Sequence, residues 1–182
     1  MSAREYEANK DNLVSIACFT RDGELLGAAP VGSLKKNVNI TAQSWFEDAA
    51  DKMENLHFSD LHVQNIFENK GGRYYWVVSL SRGVELTNDG KMSGGILLVD
   101  MNFSGIQQLF TEVNNDGKGY VYLIGRDGEI IYHPRQNLIF SNIIQENNQT
   151  ASTYDEGVHN EEFQGEQRVV VVKTVGYTGW KI

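Results

Sequence analysis

The chain has 182 residues, with 16 Lys and Arg against 24 Asp and Glu, for a net charge of −8. That length allows one domain or two small ones, and 41% apolar with 22% charged residues leaves enough material for a packed core. Acidity without any Lys/Arg cluster excludes nucleic acid as a partner, because phosphate binding needs concentrated positive charge.

Eighteen glycines against two prolines point to a turn-rich chain with strands. The first eleven residues, with Glu5, Tyr6, Ala8 and Lys10, predict a short solvated helix. Leu13 to Phe19 reads as a strand, then Arg21-Asp22-Gly23-Glu24 as a hairpin turn before Leu25-Leu26, since Gly accepts the positive φ of a tight turn. Trp45, Phe46, Ala49, Ala50 and Met53 recur at helical spacing within Ala42 to Met53. Tyr74 to Leu80 and Gly95 to Met101 read as long strands, punctuated by Lys70-Gly71-Gly72 and Asn88-Asp89-Gly90-Lys91. Phe103, Ile106, Leu109, Phe110 and Val113 form the apolar stripe of an amphipathic helix over Phe103 to Val113.

The hairpin device then returns. Val121 to Ile124 leads into Arg126-Asp127-Gly128-Glu129 and Ile130-Ile131-Tyr132, and each hairpin is followed by one of the two prolines, Pro30 and Pro134. A shared turn, shared flanking strands and a shared proline predict an internal duplication. Gln145 to Asn160 reads as a loop with part of a helix, Arg168 to Val172 as a strand, and Trp180 as the close of the last one. The expected fold is α+β: two tandem modules, 1–103 and 104–182, each a mainly antiparallel sheet flanked by helices.

Motifs for catalysis and metal binding fail on inspection. Asn114, Asp116 and Gly117, with Glu112 in first place, suggest a calcium loop, but the closing Glu is replaced by Leu123, so a helix-to-strand turn is expected. Among the four histidines, His57 and His62 miss the i, i+4 spacing of a metal-binding pair, and Cys18, the only cysteine, cannot build a thiolate site or a disulfide. There is no Gly-x-Ser-x-Gly elbow and no phosphate-cradling Gly-x-x-x-x-Gly-Lys, and Glu161-Glu162 reads as a solvated edge. No enzyme, metal or cofactor is expected. What remains is an aromatic and polar concentration in the first module, from which Trp45, Phe46, His57, Phe58, His62, Tyr75 and Asp100 are the candidate ligand-binding residues. Asp100 stands out because it interrupts an apolar strand and can meet a cationic group; the competing reading is a carboxylate capping the helix from Phe103.

Gly119-Tyr120-Val121-Tyr122-Leu123-Ile124-Gly125-Arg126-Asp127-Gly128-Glu129-Ile130-Ile131-Tyr132-His133-Pro134, the ending Val169 to Ile182, and Gly95 to Met101 with the helix after it resemble the double Cache (dCache) ectodomains of bacterial membrane sensor histidine kinases. The resemblance implies two PAS-like modules on the extracytoplasmic face of the membrane, the first membrane-distal and ligand-binding, the second membrane-proximal. It implies an unidentified small-molecule ligand, a homodimeric receptor, and tethering through flanking membrane segments, with the chain ending at Trp180-Lys181-Ile182 as a fragment of a longer parent. Many amino-acid-binding members carry an Arg two or four residues before the distal Trp, where this chain has Gln43 and Thr41. The chain itself shows no apolar run near the roughly 20 residues of a membrane helix and no secretory signal in Met1 to Asp11. The expected function is therefore sensing that feeds a histidine kinase. The alternatives are a chemoreceptor ectodomain, a partner-protein-sensing module of the same fold, or a secreted carbohydrate-binding β module.

Overall fold

The computed structural model describes residues 3–59, 61–68, 72, 74–88, 90–113 and 119–182. The chain divides into two compact units, Met1–Gly105 and Ile106–Ile182.

Unit 1 opens with helix α1 (Ala3–Asn9) and the hairpin β1 (Leu13–Thr20) and β2 (Leu25–Ala29). Helix α2 (Ser44–Asp51) follows, then two short strands, β3 (His57–Phe58) and β4 (His62–Val63). The long hairpin β5 (Trp76–Asn88) and β6 (Lys91–Asn102) completes an antiparallel sheet of order β2-β1-β6-β5-β3, with β4 also on β5. Register fixes its faces: Ala17 pairs with Leu98 and Phe19 with Ile96, while Ser81 and Gly83 meet the same two β6 residues from the other side. Because side chains alternate along a strand, these residues share one face, and there they pack with Ile40, Ile66 and Phe67 and with Trp45, Phe46 and Ala49 of α2 as the core. Glu47 in the first turn of α2 suits the helix dipole. Gly83 allows the close approach of the segment after α2, since a Cβ there would stand 2.7 Å from Met53 Cα.

Helix α3 (Phe103–Val113) follows β6 directly, and Asn102 Oδ1 accepts the Ser104 N–H at 3.0 Å as its cap. Unit 2 then has the hairpin β7 (Leu123–Ile124) and β8 (Ile130–Tyr132), short helices α4 (Gln136–Phe140) and α5 (Asn148–Ala151), and the hairpin β9 (Gly157–Phe163) and β10 (Glu166–Val172). Strands β11 (Thr174–Val175) and β12 (Trp180–Lys181) close it. The sheet order is β11-β12-β7-β8. Reciprocal bonds between Lys173 and Ile182, 3.0 and 2.8 Å, carry the pairing of β11 back toward β10. The order β9, β10–β11, β12, β7, β8 thus repeats β3, β5, β6, β1, β2.

The two Asp-Gly turns occupy the same place in this plan. Gly23 and Gly128 have φ of 84° and 78°. Their N–H groups donate to the carbonyls of Thr20 and Gly125, each at 3.1 Å, and the N–H groups of those residues donate to the carbonyls of Glu24 and Glu129, each at 2.8 Å. Arg21 lies across Gly94, where a Cβ would be 2.7 Å from its Nε, and Arg126 lies across Gly179 with a matching 2.6 Å.

Three expectations differ from the structure. Strands β5 and β6 extend to Asn88 and from Lys91, beyond the apolar windows that suggested them, because a hairpin ladder satisfies its backbone without an apolar partner at every rung. The polar stretch Gln145 to Asn160 ends inside a strand: β9 begins at Gly157, and Glu161 is buried in it, not part of a solvated edge. Helix α4 had no apolar stripe to announce it and buries none of its residues. The helix-to-strand turn expected at Asn114, Asp116 and Gly117 lies outside the described residues, as do Lys70, Gly71 and Asp89 of the other expected turns.

Candidate functional site

The face of the unit 1 sheet that carries the core becomes polar toward one end of its strands. Asp100 on β6 is paired across the sheet with Ser15 of β1 and Ser79 of β5, so one row holds three polar side chains. Asp100 Oδ2 accepts from Ser15 Oγ at 2.7 Å and Oδ1 from Ser79 Oγ at 2.5 Å, and all three residues are buried. Ser79 Oγ lies 3.4 Å from His62 Nε2, and His62 Nδ1 lies 3.3 Å from Ser59 Oγ. Burial pushes the Asp100 carboxyl above its ordinary range, and the Ser79 and Ser15 hydroxyls and the charge on His62 only partly offset it. No Lys or Arg among the described residues forms an ion pair with Asp100. A carboxylate so placed holds acceptor capacity that the sheet does not use.

Gln64, two residues beyond His62 and on the same strand face, is 3% exposed, and its Oε1 finds no hydrogen-bond partner among the described residues. An orphaned buried amide oxygen is costly without a partner, so this end of the core face carries a second unspent acceptor.

The structure places the seven candidates unequally. Asp100 and His62 come together through Ser79. Tyr75 continues the row of Val77 and Ser79 at the open start of β5 and is 40% exposed. Trp45 and Phe46 are buried in the core beside this row, the Trp45 ring centroid lying 5.6 Å from that of Phe19 and 5.7 Å from that of Phe46. The Trp45 carbonyl accepts from Ser81 Oγ at 2.7 Å, tying α2 to the strand that carries Ser79. His57 lies opposite Ser81 and spends Nε2 on the Lys52 carbonyl at 3.1 Å. Phe58 is opposite Leu80, so strand alternation turns it to the other face, away from Asp100. Ser15, Ser79 and Gln64 were missed. The first two break apolar strands as Asp100 does, but a serine in a strand is too common to mark a site; Gln64 gave no signal.

Unit 2 holds a second polar centre that sequence reading missed entirely. The Glu146 side chain is 5% exposed and accepts from Tyr120 Oη at 2.7 Å and Arg168 Nη1 at 3.0 Å. His133, fully buried, takes the Arg135 N–H on Nδ1 at 3.0 Å, which leaves its proton on Nε2. That Nε2 sits 3.3 Å from Glu146 Oε1, within ion-pair range but off the line of a hydrogen bond. Burial alone would raise the Glu146 carboxyl, but His133, Tyr120 and the Arg168 charge outweigh it and hold it below its ordinary value. Desolvation and the neighbouring Glu146 push the Tyr120 phenol up to about 12. Tyr120, Glu146 and Arg168 border a cavity of about 820 Å³. Among the described residues no three His, Cys, Asp or Glu side chains gather as a metal cage, and no helix is long and apolar enough to cross a membrane.

Antiparallel strands laid out on one repeated plan in the two units, with helix between the second and third strands of each, define tandem PAS-like modules. Residues 3–182 match the Cache domain family dCache_1, and the chain belongs to that family. It is 27% identical over 116 residues to the methyl-accepting chemotaxis protein PscA of Pseudomonas syringae pv. tomato, covering 64% of this chain and 17% of that protein. The chain thus spans about a sixth of that curated relative's length. Among solved structures, it is similar to the ligand-binding domain of the Pseudomonas aeruginosa PAO1 amino acid chemoreceptor PctC in complex with GABA. That match has a TM-score of 0.67 and 20% identity, over 98% of this chain and 77% of that one. The ligand-binding domain of PctB from the same strain, in complex with L-Arg, matches with TM-score 0.66 and 16% identity, over 100% of this chain and 71% of that one. At these identities the likeness is one of fold. Cache domains of chemoreceptors are extracytoplasmic sensing domains.

Proposed function

We propose that this chain is the extracytoplasmic sensing region of a bacterial chemoreceptor and that unit 1 binds a small molecule carrying an amine. The observation that carries the ligand class is Asp100: a buried carboxylate with two serine hydroxyls for partners and no Lys or Arg paired to it among the described residues. A buried unpaired charge costs several kcal/mol, and an ammonium group arriving between the core face and α2 would offset that cost. His62 and Tyr75 flank the approach, the Gln64 amide oxygen accepts a second donor, and Trp45 and Phe46 form the apolar wall.

The solved relatives named above bind GABA and L-Arg, which supports an amine-bearing ligand. The carboxylate half of an amino acid lacks the expected guanidinium here, because Thr41 and Gln43 stand in its place and both hydrogen-bond to Asn39. An amine without an obligatory α-carboxylate fits better. The kinship with chemoreceptors favours a chemotaxis output over the histidine kinase expected from the sequence.

In this reading residues 1–103 form the membrane-distal module and 104–182 the membrane-proximal one, in a dimeric receptor anchored by flanking segments. Asp100 lies on β6, which runs without a break into α3. Binding must favour one arrangement of that connection over another, and about 1–3 kcal/mol of coupling suffices for a several-fold response.

A thermal-shift panel of small amines, matched neutral alcohols and amides, and amino acids tests this. A ligand at about 100 times its Kd stabilises by about 2.7 kcal/mol, worth about 5–10 °C for a chain of this size. Amines should raise Tm while their neutral analogues do not. No shift with any amine, or equal shifts with the neutral analogues, would overturn the reading.

A further inference from the structure

The repeated plan gives unit 2 its own version of the receiving face. Phe19 pairs with Ile96 in unit 1 and Ile124 with Lys181 in unit 2, at the same distance from the two Asp-Gly turns. Carried along the strands, this register matches the Ser15 and Ala17 positions to Tyr120 and Tyr122, and the Val77, Ser79 and Ser81 positions to Arg168, Val170 and Val172. These residues border the cavity of about 820 Å³, which lies within unit 2. We propose that this cavity is a second ligand site and that it takes a small carboxylate.

The ligand class follows from which hydrogen-bonding capacity is already spent. Each carboxylate of the cavity already holds a donor, and Glu146, between Tyr120 and Arg168, is engaged on both oxygens. Glu146 takes Tyr120 and Arg168; Glu161 takes Asn147 at 2.8 Å and Tyr154 at 3.3 Å; Glu166 takes Arg168 at 3.1 Å. Donors are left over. The Arg135 guanidinium lies over the Tyr120 ring at 5.5 Å and forms no ion pair among the described residues. Lys181 Nζ donates to the carbonyls of Ser152 and Tyr154, which leaves one of its three protons. The Tyr122 hydroxyl makes no hydrogen bond among the described residues. A guest that supplies acceptors and negative charge satisfies these groups, and Val170, Val172 and Ile124 offer an apolar floor for a short chain. Among the described residues, unit 1 has no such cluster of cationic donors around Asp100, and the unit 2 site stands whether or not an amine binds there.

The test is amide-resolved NMR of the whole chain titrated with acetate and propionate up to about 10 mM, the range in which weak ligands bind. Propionamide and sodium chloride at matched ionic strength are the controls. Both carboxylates should shift resonances around Tyr122, Arg135 and Lys181, the controls should not, and Arg135→Gln should weaken binding about tenfold through loss of a charge-assisted contact. Tyr122→Phe, which removes only a hydroxyl, should weaken it less and serves where Arg135→Gln fails to fold. Absence of shifts, shifts confined to unit 1, equal shifts with propionamide, or reproduction of the effect by chloride would each overturn the second site. Apart from shifts confined to unit 1, none of these results bears on the amine there.

Discussion

Asp100→Asn separates the cost of the unit 1 carboxylate from its use. Asparagine keeps the shape of the side chain, and its amide group can still bond both Ser15 and Ser79, because hydroxyls rotate to donate or accept. What it removes is the buried charge. That charge costs several kcal/mol by desolvation, and the Ser15 and Ser79 hydroxyls return part of it. Because the carboxyl still titrates above its ordinary range, the balance stays against the folded protein, by about 1–2 kcal/mol on the scale usual for one buried substitution. The variant without ligand should be more stable by that amount at neutral pH, about 2–8 °C in Tm, measured by thermal and urea denaturation. The pH dependence fixes the sign. Asp100 titrates above the ordinary 3.8 in the folded chain, so its contribution to stability is full below 3.8 and is lost as pH rises through the folded value. The advantage of the variant should be widest at neutral pH and close in acid. The same variant should lose amine-induced stabilisation. A variant less stable than the parent at neutral pH, or an advantage that grows in acid, would refute the account of this carboxylate.

Glu146→Gln should behave in the opposite sense. Its folded carboxyl lies below the ordinary 4.5, so its contribution is present above 4.5 and lost as pH falls through the folded value. Removing the charge should cost about 2 kcal/mol at neutral pH, since Arg168 and His133 lose a shared partner; equilibrium unfolding followed against pH would reveal a gap that closes in acid. Gly83→Ala should destabilise by about 1–3 kcal/mol through overpacking against Met53, read as a lower urea midpoint with an unchanged slope.

The repeated plan was legible because its signals are local and short. Arg-Asp-Gly-Glu marks both turns, and the stripe of Phe103 to Val113 marks a helix whose limits match it. Asp100 was legible because a carboxylate within Gly95 to Met101 cannot be ordinary core. Ser15 and Ser79 carried the same signal, but serine is too common in strands to stand out alone. Phe58 could not be assigned a face, since a strand of two residues has no period to read. The unit 2 centre was invisible for a different reason. Glu146 lies in a stretch where every neighbour is polar, and only the folding of β9, β10 and the β7 hairpin brings His133, Tyr120 and Arg168 to it. Long-range convergence of this kind leaves no spacing in the sequence.

A crystal structure of the chain grown with the amine that raises Tm most would test the sensing role directly. The account predicts the ligand nitrogen within hydrogen-bond distance of a carboxylate oxygen of Asp100, beside His62 and Tyr75. An amine held elsewhere, with Asp100 still bonded to Ser15 and Ser79 alone, would contradict it.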